Sequence, residues 1–177
     1  GFVIMEQIEY VPMSGTNTIA VATVLIETGM VEVVEPVTNL VLEAPAGLIP
    51  IRAEVKHGKV KSVTFENVPA FAVHLDAPVE VPELGTVTVD VAWGGMFYVI
   101  ADAEKLGLRL TPDEAGDAVR IGEMIKAATQ EQLECQHPEN PEIRGVSIAQ
   151  LSAPPSGDHA DRRNTVIVST GELDWSR

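Results

Sequence analysis

The sequence holds a single cysteine, Cys135, and few basic side chains: 12 Lys and Arg stand against 26 Asp and Glu. One cysteine excludes an internal disulfide framework and fits a reducing, cytoplasmic setting. The formal net charge of −14, with a pI near 4.5, surrounds the chain with a negative field that repels a nucleic-acid backbone. Long apolar runs are also missing. The longest is about ten residues, half of what a bilayer-spanning helix needs. The opening "GFVIMEQIEYVPM" lacks a basic n-region and alternates like a strand, so it does not read as a secretory signal. There is no internal repeat, no low-complexity segment, and no P-loop, GxGxxG, HExxH, GxSxG or paired CxxC motif. Nucleic-acid and membrane partners are therefore not expected.

What is present is an ordinary globular balance. The 177 residues are 45% hydrophobic and 21% charged, enough for one large or two small domains. The chain begins on Gly1 inside strand-like text and stops on Arg177 after "TGELDWS", which gives it the look of a piece cut at both ends.

Residues 2–11, with Phe2, Ile4, Gln7 and Ile8 set among polar neighbours, read as a strand. "TIAVATVLIET" is apolar almost all round and predicts a fully buried helix at about 17–29, stopped by Gly29. From Val31 to about Val73 the text is strand-like, with His57-Gly58 as a tight hairpin turn. "TVTVDVAWGGMFYVIADA" is a further pair of β segments. Its Gly94-Gly95 break implies a bulge or a close backbone approach. "TPDE" (Thr111 to Glu114) is a capping box with proline at the first helical position. It opens an amphipathic helix, about 112–132, with Ala118, Ile121, Met124, Ile125 and Ala128 on one stripe. "HPENPE" ends that segment, and the strands "GVSIAQLS" and "NTVIVST" follow. The chain thus reads as α+β, rich in β, and a composition break around Pro69 to Pro78 allows two lobes, 1–70 and 71–177.

Residues 12–18, "PMSGTNT", place Ser14 immediately before the apolar helix. A serine there caps the helix by accepting an orphan backbone N–H. The same terminus, with free N–H groups and the positive dipole end, can hold a carboxylate or a developing negative charge. Gly15 lets a ligand come close to the backbone. Elsewhere the structural reading is the stronger one. Cys135 and His137, in "CQH", have no second Cys/His pair at metal-ligand spacing, so no metal site is expected. His57 belongs to a hairpin turn, and His74 has no partner that the sequence can name. His159 sits with Asp158, Asp161, Arg162 and Arg163 in the most polar loop of the chain, a cluster expected to be solvated.

"YVPMSGTNTIAVATVLIETGMVE", followed by "LEAPAGLI" and "DVAWGGMFYVIADAEKLGL", resembles the proline racemase family, and "HPENPEIRGVSIAQL" and "ADRRNTVIVSTGELD" fit its later part. That family comprises proline racemases, 4-hydroxyproline epimerases and trans-3-hydroxyproline dehydratases. The resemblance implies a diaminopimelate-epimerase-like fold: two α+β lobes, each a curled, mostly antiparallel sheet around a central helix. It implies a homodimer acting on a small, proline-like amino acid by α-proton transfer, without pyridoxal phosphate, metal or other cofactor. Two bases on opposite faces of Cα are implied, the first being normally the cysteine of an "MCGHG" motif. Here Ser14 takes the cysteine position and Gly15 keeps the glycine, while Thr16 and Asn17 replace the histidine and second glycine. Ser14 is then the catalytic position, with Gly15, Thr16, Asn17 and Asp161 as substrate-binding candidates. The second base, normally a cysteine in "DRSPCGTG", has no match in these residues and is expected beyond Arg177.

The exchange of thiol for hydroxyl has chemical weight. A cysteine ionises near about 8.5, lower at a helix terminus, so it can supply a thiolate base. A serine is a far weaker acid and a poor unaided base. It can still donate a proton to a carbanion, which shifts expectation from plain proline toward hydroxyproline epimerisation or 3-hydroxyproline dehydration. An inactive module that binds proline analogues is the reading from another class.

Overall fold

The computed structural model describes residues 1–5, 9–168 and 171–175, and the chain falls into two units, Gly1–Pro69 and Ala70–Arg177. In the first, two short strands pair antiparallel: β1 (Ile4–Met5) and β2 (Tyr10–Val11). The single strand expected over 2–11 is therefore two arms, with Gln7 and Ile8 outside the described residues. Helix α1 (Gly15–Glu27) follows.

An antiparallel meander, β3 (Val37–Ala44), β4 (Gly47–Lys56) and β5 (Lys59–Phe65), completes the unit in the order β3-β4-β5. Its central strand alternates cleanly. Ile49, Ile51, Ala53 and Val55 are buried while Pro50, Arg52 and Glu54 face out. Period-two alternation puts one row of side chains on one face, and fully burying each isoleucine contributes about 1.5–3 kcal/mol. The expected hairpin at His57-Gly58 forms, both residues taking positive φ (55° and 69°), which the tight turn requires.

Helix α1 lies on the inner face of β4 and β5. Met13 and Ala22 join Leu42, Ala44, Ile49 and Ile51 in one cluster, and Ile26 joins Ala53 and Val55 in a second. The expectation of an all-round buried helix is corrected here. Thr18, Ala22 and Ile26 form the buried stripe, whereas Ile19 is 41% and Val24 54% exposed. A three-stranded sheet covers one side of a helix, and apolar side chains on the far side stay in contact with solvent. The helix end is pinned by Glu27, which accepts from Lys59 Nζ at 2.6 Å and from the Val60 N–H at 3.0 Å. These contacts, led by Lys59, hold its carboxyl below the usual range.

The second unit is one six-stranded sheet in the order β11-β10-β9-β8-β7-β6. Its strands are β6 (Phe71–Val81), β7 (Gly85–Trp93), β8 (Phe97–Asp102), β9 (Ile148–Ala153), β10 (Arg163–Ile167) and β11 (Leu173–Asp174). All pairs are antiparallel except β8 with β9. A parallel pair cannot be closed by a hairpin, and the crossover carries α2 (Ala115–Gln132). Gly94-Gly95 lies in the turn between β7 and β8, where Gly94 is exposed and a Cβ on it would meet nothing within 4 Å, while Gly95 is buried with φ 106°.

The Pro112–Glu114 stretch makes a 3-10 turn that leads into α2. Glu114 reaches back to accept from the N–H groups of Thr111 (3.5 Å) and Arg109 (2.7 Å), the carboxylate half of the expected capping box. Ala118, Ile121, Ile125 and Ala128 are buried as the stripe predicts, while Met124 is only half-buried. The stripe also holds Gly122, whose absent side chain makes room for Ile167 of β10: a Cβ there would sit 2.6 Å from Cδ1 and 2.7 Å from Cγ1.

Candidate active site

The segment leading into α1 is anchored before the helix begins. Met13 is buried in the first cluster, and the Pro12 carbonyl accepts from the Ala46 N–H at 3.1 Å. Ser14 then takes extended backbone angles (φ −141°, ψ 122°), and its carbonyl accepts the first helical bond from Thr18 N–H at 2.9 Å. Its hydroxyl oxygen accepts from the Asn17 N–H at 3.5 Å and from Asn17 Nδ2 at 3.0 Å. Thr18, fully buried, also donates its hydroxyl to the Ser14 carbonyl at 2.8 Å. Ser14 is a helix cap, and 7% exposed.

Helix geometry leaves the Gly15 and Thr16 N–H groups without intrahelical acceptors, and no acidic side chain stands in the first turn. The terminus therefore keeps its positive end uncompensated, which suits a carboxylate. Gly15 is also closely packed: a Cβ there would lie 3.0 Å from the Phe65 ring at the end of β5, and the ring would have to give way by a few tenths of an ångström. Sequence reasoning did not find Phe65, because its neighbour is fifty positions away and only the meander brings them together.

Ser14, Gly15, Thr16 and Asn17 thus share one turn, whereas Asp161 belongs to the second unit, exposed in the loop between β9 and β10. His159 is exposed in the same loop, as expected. His74 has a structural partner that the sequence could not name: its Nε2 lies 2.8 Å from the Glu134 carbonyl. His137 packs on Trp93 with ring centroids 4.8 Å apart and on Phe71 at 5.8 Å. Cys135 is buried, its carbonyl accepting from the Gly145 N–H at 2.9 Å, and burial pushes its thiol up to about 11. A thiol so held does not ionise near neutral pH and is no candidate base.

A polar recess of about 270 Å³ also lies in the second unit, lined by Asp76, Thr88, Asp90, Asp102, Lys105 and Arg162. Asp90 and Asp102 are engaged there by the N–H groups of Asp76, Glu104 and Lys105. Among the described residues no group of three or more His, Cys, Asp or Glu side chains could hold a metal ion. No helix among them is long and apolar enough to cross a membrane.

Comparison with solved structures finds the same α+β fold twice at close range. The chain superposes on a probable proline racemase from Agrobacterium radiobacter with bound carbonate, at 31% identity and TM-score 0.92, over 99% of this chain and 51% of that one. It superposes on a hydroxyproline epimerase from Agrobacterium vitis with bound trans-4-hydroxy-L-proline at 33% identity and TM-score 0.91, over 99% and 50%. A methylitaconate-Δ-isomerase, 14% identical at TM-score 0.59, shares the fold alone, and the diaminopimelate-epimerase-like class expected from the sequence is the class found. The chain spans about half the length of the solved proteins it matches. The proline racemase family model matches residues 1–177 throughout, and this chain belongs to that family.

Proposed function

We propose that this chain carries the first proton-transfer position of a cofactor-independent racemase or epimerase acting on proline or, in preference, hydroxyproline. The supporting observation is Ser14, seated as the cap of α1 beside first-turn N–H groups in a member of the proline racemase family. In this reading the Gly15 and Thr16 N–H groups hold the substrate carboxylate, the Asn17 N–H being engaged by the Ser14 hydroxyl. Ser14 serves one face of Cα, and a thiolate from the part of the relatives' length that the chain does not span serves the other. The bound trans-4-hydroxy-L-proline of the epimerase at 33% identity favours the hydroxylated substrate.

The hydroxyl in place of a thiol supports one second reading, dehydration of trans-3-hydroxyproline, which needs a single strong base and help for the departing hydroxyl. Incubating the full-length protein in D2O with proline and each hydroxyproline isomer separates the two. Epimerisation gives inversion at Cα with deuterium incorporated, whereas dehydration releases a pyrroline product. Binding of pyrrole-2-carboxylate without proton exchange from any isomer would reduce the protein to a binding module and refute both.

A further inference from the structure

A serine hydroxyl has one proton to give and two lone pairs to receive with. Among the described residues both donors that approach the Ser14 oxygen come from one residue, the Asn17 main-chain N–H at 3.5 Å and its side-chain Nδ2 at 3.0 Å. A helix cap needs only the first of these. The shorter and therefore stronger contact is the one that capping does not require. The helix dipole alone favours an acidic side chain in this first turn, yet an acid there would accept a hydrogen bond rather than donate one.

We infer that Asn17 is a positioning residue for proton transfer at Ser14. Its amide and its main-chain N–H occupy the acceptor side of the hydroxyl, so the hydroxyl proton points away from the helix and Ser14 works as a proton donor. The inference rests on the epimerase reading above. In the step it describes, the thiolate from outside these residues removes the α-proton, and the C–H electron pair stays on Cα and spreads into the carboxylate. The Ser14 O–H bond then breaks toward the opposite face. Its proton forms the new C–H bond with that pair, and the O–H electrons remain on Oγ. One proton leaves Cα and one arrives. The Ser14 oxyanion left behind is held by the two Asn17 N–H groups, and in the reverse direction that same oxyanion is the base. A carbanion is a much stronger base than an alkoxide, so delivery runs downhill. The alkoxide is the costly species, and stabilising it is what a second donor contributes.

The test uses the full-length protein and three forms of residue 17. Asn17→Ala removes the side-chain donor and keeps the capping N–H and a strong helix former. Its turnover for inversion at Cα should fall about 100-fold, the low end for loss of a positioned acid, with KM and pyrrole-2-carboxylate affinity held within about twofold. Asn17→Asp keeps shape and suits the dipole, so it folds at least as well, but its carboxylate draws the Ser14 proton inward. Its rate relative to the unchanged protein should be low at pH 7 and recover as pH falls through about 4, where a protonated carboxyl can donate again. A rise in KM with turnover preserved would mean that Asn17 binds the carboxylate instead, and overturns the inference. Unchanged kinetics in both variants would leave a cap and nothing more. If the unchanged protein inverts neither proline nor any hydroxyproline, the functional reading itself falls and takes this inference with it.

Discussion

Two positions with similar elements in their side chains, a hydroxyl and a thiol, have opposite fates here. Ser14 sits at a helix start with N–H groups around it, and Cys135 is buried with its backbone tied to Gly145. Replacing Ser14 by alanine removes a cap, which costs about 1 kcal/mol of stability. If Ser14 is also the acid, turnover of the full-length protein should drop by about 10²–10⁴-fold. A rate loss no larger than the lost stability explains would return Ser14 to a purely structural part. For Cys135 the measurement is pH-dependent stability. An unfolded cysteine ionises near about 8.5, while burial holds this one up to about 11. Between those values the unfolded chain has shed a proton that the folded chain keeps, so folding weakens as pH rises through that window. Urea midpoints from pH 8 to 11 should fall more steeply in the unchanged protein than in Cys135→Ala, and parallel slopes would contradict the burial argument.

Among the elements, α2 offers the sharpest test because two known effects oppose each other at Gly122. Glycine inside a helix costs about 1 kcal/mol relative to alanine, so propensity alone makes Gly122→Ala stabilising. Packing says otherwise, since the new methyl would stand 2.6 Å and 2.7 Å from two Ile167 carbons, and overpacking costs about 1–3 kcal/mol. A net loss of about 1 kcal/mol is expected in urea unfolding, and a gain would show that β10 yields freely. The sequence could show α2 itself, through its stripe and the Glu114 cap, but not why Gly122 is glycine, since Ile167 is distant in the chain. The same limit governs α1. Its composition announced a helix and Ser14 its start, yet not how much of it would be covered, because three strands of β3 to β5 cover one side only. Local signals such as His57-Gly58 were legible since the turn needs nothing but its own two residues. Gly94-Gly95 announced an irregular backbone but not which kind, because a glycine pair states only that side chains are absent, and a turn and a bulge ask for the same absence. Asn17 was legible as a position and not as a donor, which took the placement of its amide 3.0 Å from Ser14.

At the scale of the whole molecule, the proposed function gives the chain one proton-transfer position where a two-sided reaction needs two. Inversion at Cα requires that one group take a proton from one face while another gives to the opposite face. In the proposed reading Ser14 with its helix start serves one face. The single cysteine of the chain cannot serve the other, because its thiol is buried and held near 11. The solved proteins it matches are about twice as long, and the proposal assigns the second base to the length not spanned here. Residues 1–177 produced alone should therefore fold into their two units and still fail to wash the α-proton of proline or any hydroxyproline into D2O, while the full-length protein does so. Restoring exchange by adding the remaining length as a separate chain would place the missing base there. Exchange by residues 1–177 alone would mean that a base within them has been overlooked, and the two-sided assignment would have to be abandoned.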